Sequence, residues 1–448
     1  MNNTNYKKQY NLALTTLGCD KNRVDSEMLL HQFAQHGFNI VDDHANADVI
    51  VVNTCAFLES ARKEAIETII ELSNYKQTGL LKTLVVAGCL SQQFGEEIFP
   101  LLDEADVVVG INEYKNIAQI VLDAVEKQSR VLKVSPCTKE IFFDDRILTT
   151  PKHYAYLKIA DGCNNFCSYC LIPYIRGRNR STPIEQLVAQ AEKLVAQGVS
   201  ELILVAQDTT KYGIDLYGKP QLVRLIQELS NLDVKRIRLL YCYPELVDDQ
   251  LLHEIENNPK VCKYVDIPLQ HICDKILSAM NRKTNKEKII SLFDKISNLK
   301  EKVAVRTTFI CGFPNETDET FEEIIEFLKK YKLENVGAFA YSKEKGTLAY
   351  KMKGHLIKRD KEKYVKRLYK VQNEIVQQNN TQYVGKTLEC VIDEQIDDVT
   401  YLGRSQYQAP EIDSVVYVTS NNPLEVGKYY DVKICSIYDD YDLIGEIV

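Results

Sequence analysis

Cys163-Asn164-Asn165-Phe166-Cys167-Ser168-Tyr169-Cys170 sets three thiols in one eight-residue stretch, with three and then two residues between them. Thiolates this close can hold three irons of a cubane cluster, leaving the fourth iron without a protein ligand and open to a small molecule. A structural zinc site normally has four ligands, often as two Cys-x-x-Cys pairs, and no fourth Cys or His lies nearby. Disulfides require an oxidising compartment, and three cysteines cannot pair completely. Three buried structural cysteines are the remaining alternative. Against that, Gly162 before the stretch and the polar Asn164, Asn165 and Ser168 inside it describe a loop rather than a core stripe.

Around this loop, apolar strands alternate with amphipathic helices six times, at 154–160, 201–206, 235–241, 262–267, 303–310 and 334–341. The pattern calls for a parallel sheet, and six units suit an incomplete (β/α)6 barrel open on one side. The cysteine loop follows the first strand, at the carboxyl edge where such barrels carry their active sites. Thr182-Pro183-Ile184-Glu185 reads as a capping box with proline at the first helical position. Polar residues stand at other strand ends: Gln207-Asp208, Gln270-His271, Arg306 inside the fifth strand, and Gly312 with Pro314 after it. Together they are expected to line one rim.

On the amino-terminal side, three apolar strands each run into a cysteine: 12–17 before Gly18-Cys19, 48–52 before Asn53-Thr54-Cys55, and 83–87 before Gly88-Cys89. The cysteines are 36 and 34 residues apart, one strand-helix unit per interval, with helical patterns at 24–35 and 61–72. Parallel strands joined by helices bring their carboxyl ends to one edge, so Cys19, Cys55 and Cys89 are expected to converge and to hold a second cluster. A fourth strand, Val107 to Val109, completes a flavodoxin-like domain. On the carboxyl-terminal side a long helix from about Lys358 to Gln378 leads to short β-rich runs at roughly ten-residue spacing, the pattern of a small antiparallel barrel. The expected domains are 1–145, 146–376 and 377–448. The other seven cysteines, Cys137, Cys242, Cys262, Cys273, Cys311, Cys390 and Cys435, are read as structural.

With 26% charged and 45% hydrophobic residues, the chain has the composition of a soluble globular protein. No run of about eighteen apolar residues occurs and the segment Met1–Asn11 is polar, so neither a membrane span nor a signal peptide is expected. A cytoplasmic location follows, and thirteen cysteines in a reducing compartment point to metal rather than disulfides. Charge is uneven: between Thr381 and Val448 acidic residues outnumber basic ones thirteen to four, while the whole chain carries −8. Such a domain repels phosphates and attracts a basic protein, and Asp439, Asp440 and Asp442 are among the acids expected to dock it.

The loop resembles the radical S-adenosylmethionine (SAM) signature, Cys-x3-Cys-x2-Cys with an aromatic residue before the last cysteine. The order of domains is similar to the methylthiotransferases of that superfamily, and the last domain looks like their TRAM domain. The resemblance implies two 4Fe-4S clusters and SAM, with Cys163, Cys167 and Cys170 on the SAM cluster and Cys19, Cys55 and Cys89 on an auxiliary one. It implies that Tyr169 packs near the adenine, and Gln207, Asp208 and Gln270 are taken with it as SAM contacts. An electron donor such as flavodoxin or ferredoxin is expected. Thr16-Leu-Gly-Cys-Asp-Lys-Asn-Arg-Val-Asp-Ser-Glu27, Asn53-Thr-Cys-Ala-Phe57 and Ile267-Pro-Leu-Gln-His271 resemble the RimO-like branch, which modifies an aspartate β-carbon of ribosomal protein uS12. Ile272-Cys273 and Leu348 depart from that branch's pattern. A tRNA adenosine methylthiotransferase (MiaB-like) is the alternative with the same chemistry. A non-catalytic RNA-binding scaffold is the alternative from another class, and it has no need of an open iron.

Overall fold

The computed structural model describes residues 9–137, 140–439 and 441–448. The start of the polar amino-terminal segment, residues 1–8, and Asp440 lie outside the described residues. The chain forms two compact units: one takes in the chain up to Thr149 together with Asp161–Asn164 and Cys170–Arg180, the other Thr150–Ala160, Asn165–Tyr169 and Ser181–Val448.

The first unit is built on a parallel sheet of six strands: β1 (Asn11–Thr16), β2 (Asn39–Ile40), β3 (Val49–Thr54), β4 (Thr83–Gly88), β5 (Val107–Val109) and β6 (Val131–Lys133), in the order β2-β1-β3-β4-β5-β6. Four central strands were legible as apolar runs, and β3 and β4 are buried along their whole length. The outer strands β2 and β6 escape the sequence reading because they hold two and three residues, partly exposed, and show no apolar run. The helices Asp20–Gln35, Glu59–Ser73, Cys89–Ile98 and Ile117–Lys127 link the strands. Two of them begin immediately after a cysteine or at one.

The second unit carries six further parallel strands: β7 (Tyr154–Lys158), β8 (Glu201–Val205), β9 (Arg236–Leu239), β10 (Tyr264–Asp266), β11 (Ala304–Cys311) and β12 (Asn335–Ala340). They form two three-stranded sheets, β9-β8-β7 and β10-β11-β12, joined by a single parallel bridge between Ile237 and Val261. The expected six-strand array is therefore divided between β9 and β10. Beyond the end of β9, Asp266 of β10 still ties the two together: its carboxylate takes the Tyr241 N–H at 2.9 Å and its carbonyl takes the Cys242 N–H at 2.8 Å. The capping box expected at Thr182 is not formed. The helix starts at Ile184 after Pro183 with no side-chain cap, because Thr182 is fully buried, its N–H held by the Ile159 carbonyl. A reciprocal capping box occurs instead at Thr317 and Thr320, opening the helix Asp318–Tyr331.

The helix Lys358–Thr381 leads into a closed five-stranded barrel of β13 (Thr387–Gln395), β14 (Thr400–Arg404), β15 (Val416–Thr419), β16 (Tyr429–Tyr438) and β17 (Asp442–Ile447), ordered β13-β14-β15-β17-β16. Closure pairs β15 with β17 in parallel, where a wholly antiparallel barrel was expected. The reason is topological: β17 runs against β16 and so in the direction of β15. Cys390, Ile392, Val416, Val418, Val432 and Ile434 fill the barrel. Of the seven cysteines read as structural, Cys137 and Cys435 are exposed and so are not core residues. Cys435 falls on the outward phase of β16, between buried Ile434 and exposed Ser436.

Buried ion pairs join this barrel to the amino ends of the parallel strands. Glu201, first residue of β8 and fully buried, accepts from Arg238 Nε at 2.7 Å and from Arg404 Nη1 at 2.6 Å, while Arg404 Nε meets Asp393 at 2.8 Å. His153 Nε2 reaches the other Asp393 oxygen at 2.7 Å, and Arg306 pairs with Asp413. The carboxyl ends of the strands are left to the candidate site. Burial by itself would raise the Glu201 carboxyl, but Arg404, Arg238 and Arg236 hold it down to about 2, from an ordinary 4.5. The stability it contributes is present above about pH 4.5 and lost as pH falls towards 2. Removing one member of a buried group leaves charge unpaired, so Glu201→Ala should cost about 3–5 kcal/mol. Urea unfolding at neutral pH checks this; a loss below about 1 kcal/mol, the scale of an exposed pair, would contradict it.

Candidate metal centres

Register brings the amino-terminal cysteines together. Thr54 of β3 is paired with Gly88 of β4, so the next residues, Cys55 and Cys89, leave the sheet side by side. Thr16 of β1 is paired with Asn53, and Gly18-Cys19 follows it to the same edge. The glycines are required: Gly18 and Gly88 have φ of 94° and 102°, and a Cβ on Gly18 would stand 2.6 Å from Cys55 Cβ. The three thiols sense one another. Burial pushes the Cys89 thiol up to about 12, with the Arg176 guanidinium opposing and Cys55 and Cys19 adding to the rise. Burial also raises Cys55, against N–H groups of Phe57 and Ala56 aimed at its sulfur and the charge of Arg176. Thiols held this way shed protons when positive charge arrives, and metal supplies it.

Arg176 is the buried cation of this edge. Its Nη1 donates to both oxygens of Asp161 at 3.1 and 3.0 Å, and its Nη2 donates to Asn22 Oδ1 at 2.6 Å and Asp25 Oδ2 at 2.9 Å. Asn22 in turn donates to the carbonyls of Leu17 and Thr54, tying the loop before Cys19 to the residue before Cys55. One guanidinium thus fixes the helix that follows Cys19 and the Asp161-Gly162 turn that precedes Cys163. The sequence reading missed Arg176. Within Ile175-Arg176-Gly177-Arg178 nothing separates it from a surface arginine, and only its distance of six residues from Cys170 hinted at a role.

The second cysteine set is divided in the chain, with Cys163 and Cys170 in the first unit and Cys167 in the second. In the first unit, Cys163 N–H donates to the Gly177 carbonyl at 3.0 Å and Ile172 N–H points at Cys170 Sγ at 3.4 Å. Gly162, at φ 78°, lies so close to Arg178 that a Cβ would stand 2.2 Å from its carbonyl oxygen. In the second unit, Phe166 adopts a left-handed φ of 50°, with its carbonyl taking the Asn281 side-chain N–H at 2.8 Å. Ser168 bonds the carbonyls of Met280 and Ala279 and accepts from Ala349 N–H. Arg282, also missed from the sequence, is buried with Nη1 3.9 Å from Cys167 Sγ and its guanidinium 4.2 Å above the Tyr243 ring. Tyr169 packs against a cluster of Ile276, Met280, Phe313 and Tyr341.

The other expected contacts fall out differently. Asp208 is buried and accepts from Asn165 Nδ2 at 2.9 Å and Thr210 Oγ1 at 2.6 Å, so its carboxylate anchors the cysteine loop to the end of β8. Gln207 is half-buried beside it. Gln270, also half-buried, is in the left-handed region at φ 72°, its backbone paired with Thr308 and Ile310. Arg306 does not join this rim. It is the third residue of β11, at the amino end, and its guanidinium is bound to Asp413 and the Ile412 carbonyl. Glu316, which the sequence did not single out, accepts from Gly312 N–H at 2.6 Å and Phe313 N–H at 2.9 Å, and its other oxygen stands 3.4 Å from His271 Nε2. Among the described residues no three His, Cys, Asp or Glu side chains close around a single ion.

Residues 11–110 match the family described as uncharacterized protein family UPF0004, residues 157–328 the radical SAM superfamily, and residues 384–448 the TRAM domain. The chain is 46% identical over 440 residues to ribosomal protein uS12 methylthiotransferase RimO of Thermoanaerobacter sp. (strain X514), covering 97% of this chain and 99% of the relative. It is 45% identical over 441 residues to the protein of the same name from Clostridium botulinum (strain Eklund 17B / Type B), covering 98% of each. Among solved structures, the radical SAM methyltransferase TsrM of Kitasatospora setae, with cobalamin and a [4Fe-4S] cluster bound, matches with a TM-score of 0.54 over 74% of this chain and 72% of that one. At 14% identity that likeness shows the fold alone. With three domains in this order and relatives matched along nearly their whole length, the chain belongs to the RimO family of radical SAM methylthiotransferases.

Proposed function

We propose that this chain attaches a methylthio group to the β-carbon of an aspartate of ribosomal protein uS12, using two 4Fe-4S clusters and SAM. The observation that carries the reading is the convergence of Cys19, Cys55 and Cys89 on one sheet edge, in a chain that also has the three-cysteine loop. When bound, the loop cluster supplies the electron that cleaves SAM and the amino-terminal cluster carries the sulfur. The residues Cys163, Cys167 and Cys170 hold the first, and Cys19, Cys55 and Cys89 the second. Arg176 and Arg282 place fixed positive charge beside the two thiolate sets, offsetting the negative charge that each set gains when its protons leave. Asp208 and Asn165 stiffen the loop, Tyr169 offers an aromatic face for adenine, and Gln207 and Gln270 are the accessible polar groups for the rest of SAM. The reductant is a small one-electron carrier of the flavodoxin or ferredoxin kind.

The partner reading rests on the barrel. Glu389, Asp393 and Asp413 are paired to Arg236, Arg404 and Arg306, so they do not act as a docking charge. Glu394, Asp398, Asp431, Asp439 and Glu446 remain exposed. A surface of that sign steers a basic ribosomal protein and disfavours the phosphates of tRNA, which sets the tRNA alternative behind.

Replacing Cys163, Cys167 and Cys170 together by Ala should lower anaerobically reconstituted iron from about eight to about four per chain. Unchanged iron, or iron lost completely, would contradict two independent clusters. Cys55→Ala should leave 5'-deoxyadenosine formation from SAM measurable while removing the mass increment of a methylthio group on uS12. Product persisting in that variant means that sulfur is not carried at this edge. Finally, the affinity of the full chain for uS12 should fall with added salt, and reversal of Glu394, Asp398 and Asp431 to Lys should weaken it at low salt. Tighter binding of tRNA than of uS12 by the unaltered chain would reverse the partner assignment.

A further inference from the structure

The second unit contains a cleft of about 390 Å³ that none of this chemistry uses, walled by the start of β12, the helix Lys358–Thr381 and the carboxyl-terminal barrel. Its size is that of a small-molecule site. It opens among the amino ends of the strands, where Arg306 and Asn335 stand, away from the carboxyl ends that carry Gln207 and Gln270. Much of its polar wall is satisfied internally. Asp413 is bound to Arg306 and to the Ala409 N–H, and Glu334 to Lys302 and the Val305 N–H.

Three wall groups are not. Gln372 is 1% exposed and its Oε1 has no hydrogen-bond partner, while its Nε2 donates to the Leu333 carbonyl at 2.9 Å. That bond fixes the amide, since the flipped form would set carbonyl against carbonyl. Tyr383 is 6% exposed and its hydroxyl is likewise without a partner. Asp442 accepts the Val415 N–H through Oδ1 at 2.8 Å, but among the described residues no cation is paired with it. Burial raises its carboxyl, with nearby Asp439 adding to the rise and the Val415 N–H opposing it. The amide oxygen and the carboxylate can only accept, and the phenol can accept as well, so a matching ligand must be rich in donors and positively charged. Guanidinium and ammonium groups are the donor-only cations of biological chemistry. Aromatic faces attract cations, and Lys302 Nζ already stands 4.9 Å from the Tyr383 ring centroid; Tyr369, Tyr407 and Tyr441 also line the cleft, with the Tyr383 and Tyr407 rings 5.7 Å apart. An anion would meet Asp442 unscreened.

We propose that this cleft binds a guanidinium or ammonium group, carried by an arginine or lysine side chain of a basic polypeptide or by a free polyamine. Calorimetric titration of the cluster-loaded full chain at low salt tests it, with N-acetyl-arginine methylamide, N-acetyl-lysine methylamide, spermidine and the neutral isostere N-acetyl-citrulline methylamide as probes. At least one cation should saturate a single site, with the citrulline compound weaker by about tenfold or more, the scale of one charge-assisted hydrogen bond. Preference for the capped amino acids assigns a side-chain ligand, and preference for spermidine a polyamine. Asp442→Asn, which keeps the Val415 bond, and Tyr383→Phe, which removes one hydroxyl, should each weaken binding by a similar factor. If either variant fails to fold by circular dichroism, the other decides. Equal binding of the citrulline compound, no saturable binding of any cation, or unaltered affinity in the folded variants overturns the proposal.

Discussion

Parallel register is the constraint on which the first unit depends. In a parallel sheet every strand delivers its next residue to the same edge, and because Thr54 is paired with Gly88, the thiols of Cys55 and Cys89 emerge as neighbours without any contact between their own loops being needed. Cys19 arrives one turn later, through a glycine whose φ no side chain would tolerate beside Cys55. The thiols therefore leave the sheet within one to three residues of β1, β3 and β4, and β3 and β4 are buried along their whole length.

What such an edge lacks is charge balance, and buried arginines supply it. Arg176 is fully enclosed with two carboxylates and an asparagine around it, and it still projects positive charge at the thiols. The same device recurs in the second unit, where Arg282 stands beside Cys167 and Arg238 with Arg404 encloses Glu201. Desolvating an arginine is costly, and a buried ion group adds little net stability over apolar packing. Its value lies in geometry: a planar fork bound at four points cannot shift without breaking several bonds. At Arg176 that geometry fixes the chain after Cys19 and before Cys163; at Glu201 it fixes the strand that leads to Asp208.

The fold was largely legible because its signals are local. Apolar runs marked β1, β3, β4, β5 and β7 to β12, and cysteine spacing marked the loop and the three strand ends. Strands of two or three residues such as β2 and β6 carry no pattern to read, and the parallel pairing of β15 with β17 is a consequence of closure that no single segment encodes. Thr182 failed as a cap because burial overrode a local preference. The arginines were invisible for a different reason. Arg176 and Asp25 are 151 residues apart in sequence, as Arg404 and Glu201 are 203 apart, and a charge looks solvated until its partner is found. Arg306 misled in the opposite sense: its place on a barrel strand suggested the catalytic rim, while strand direction sends it to the other end.

Strand direction also divides the acidity of the last domain into two uses. A net charge counted along the sequence treats every carboxylate as surface, yet Glu389 and Asp413 face Arg236 and Arg306, near the amino ends of β9 and β11, and Asp393 faces His153, just before β7, and Arg404, the last residue of the barrel strand β14. These acids attach the barrel, and their charge is cancelled locally, so they contribute little to the field felt by a distant partner. The field comes from the acids left exposed, and from Asp442, which among the described residues has no cation paired with it. Attachment at the amino ends has a functional corollary. It keeps the carboxyl ends of the six strands, with Tyr169, Gln207 and Gln270, free of the barrel, while the acids proposed for docking lie on the barrel itself. Docking and chemistry are then separable, because the residues that would attract the substrate are not the residues that would hold the cofactors.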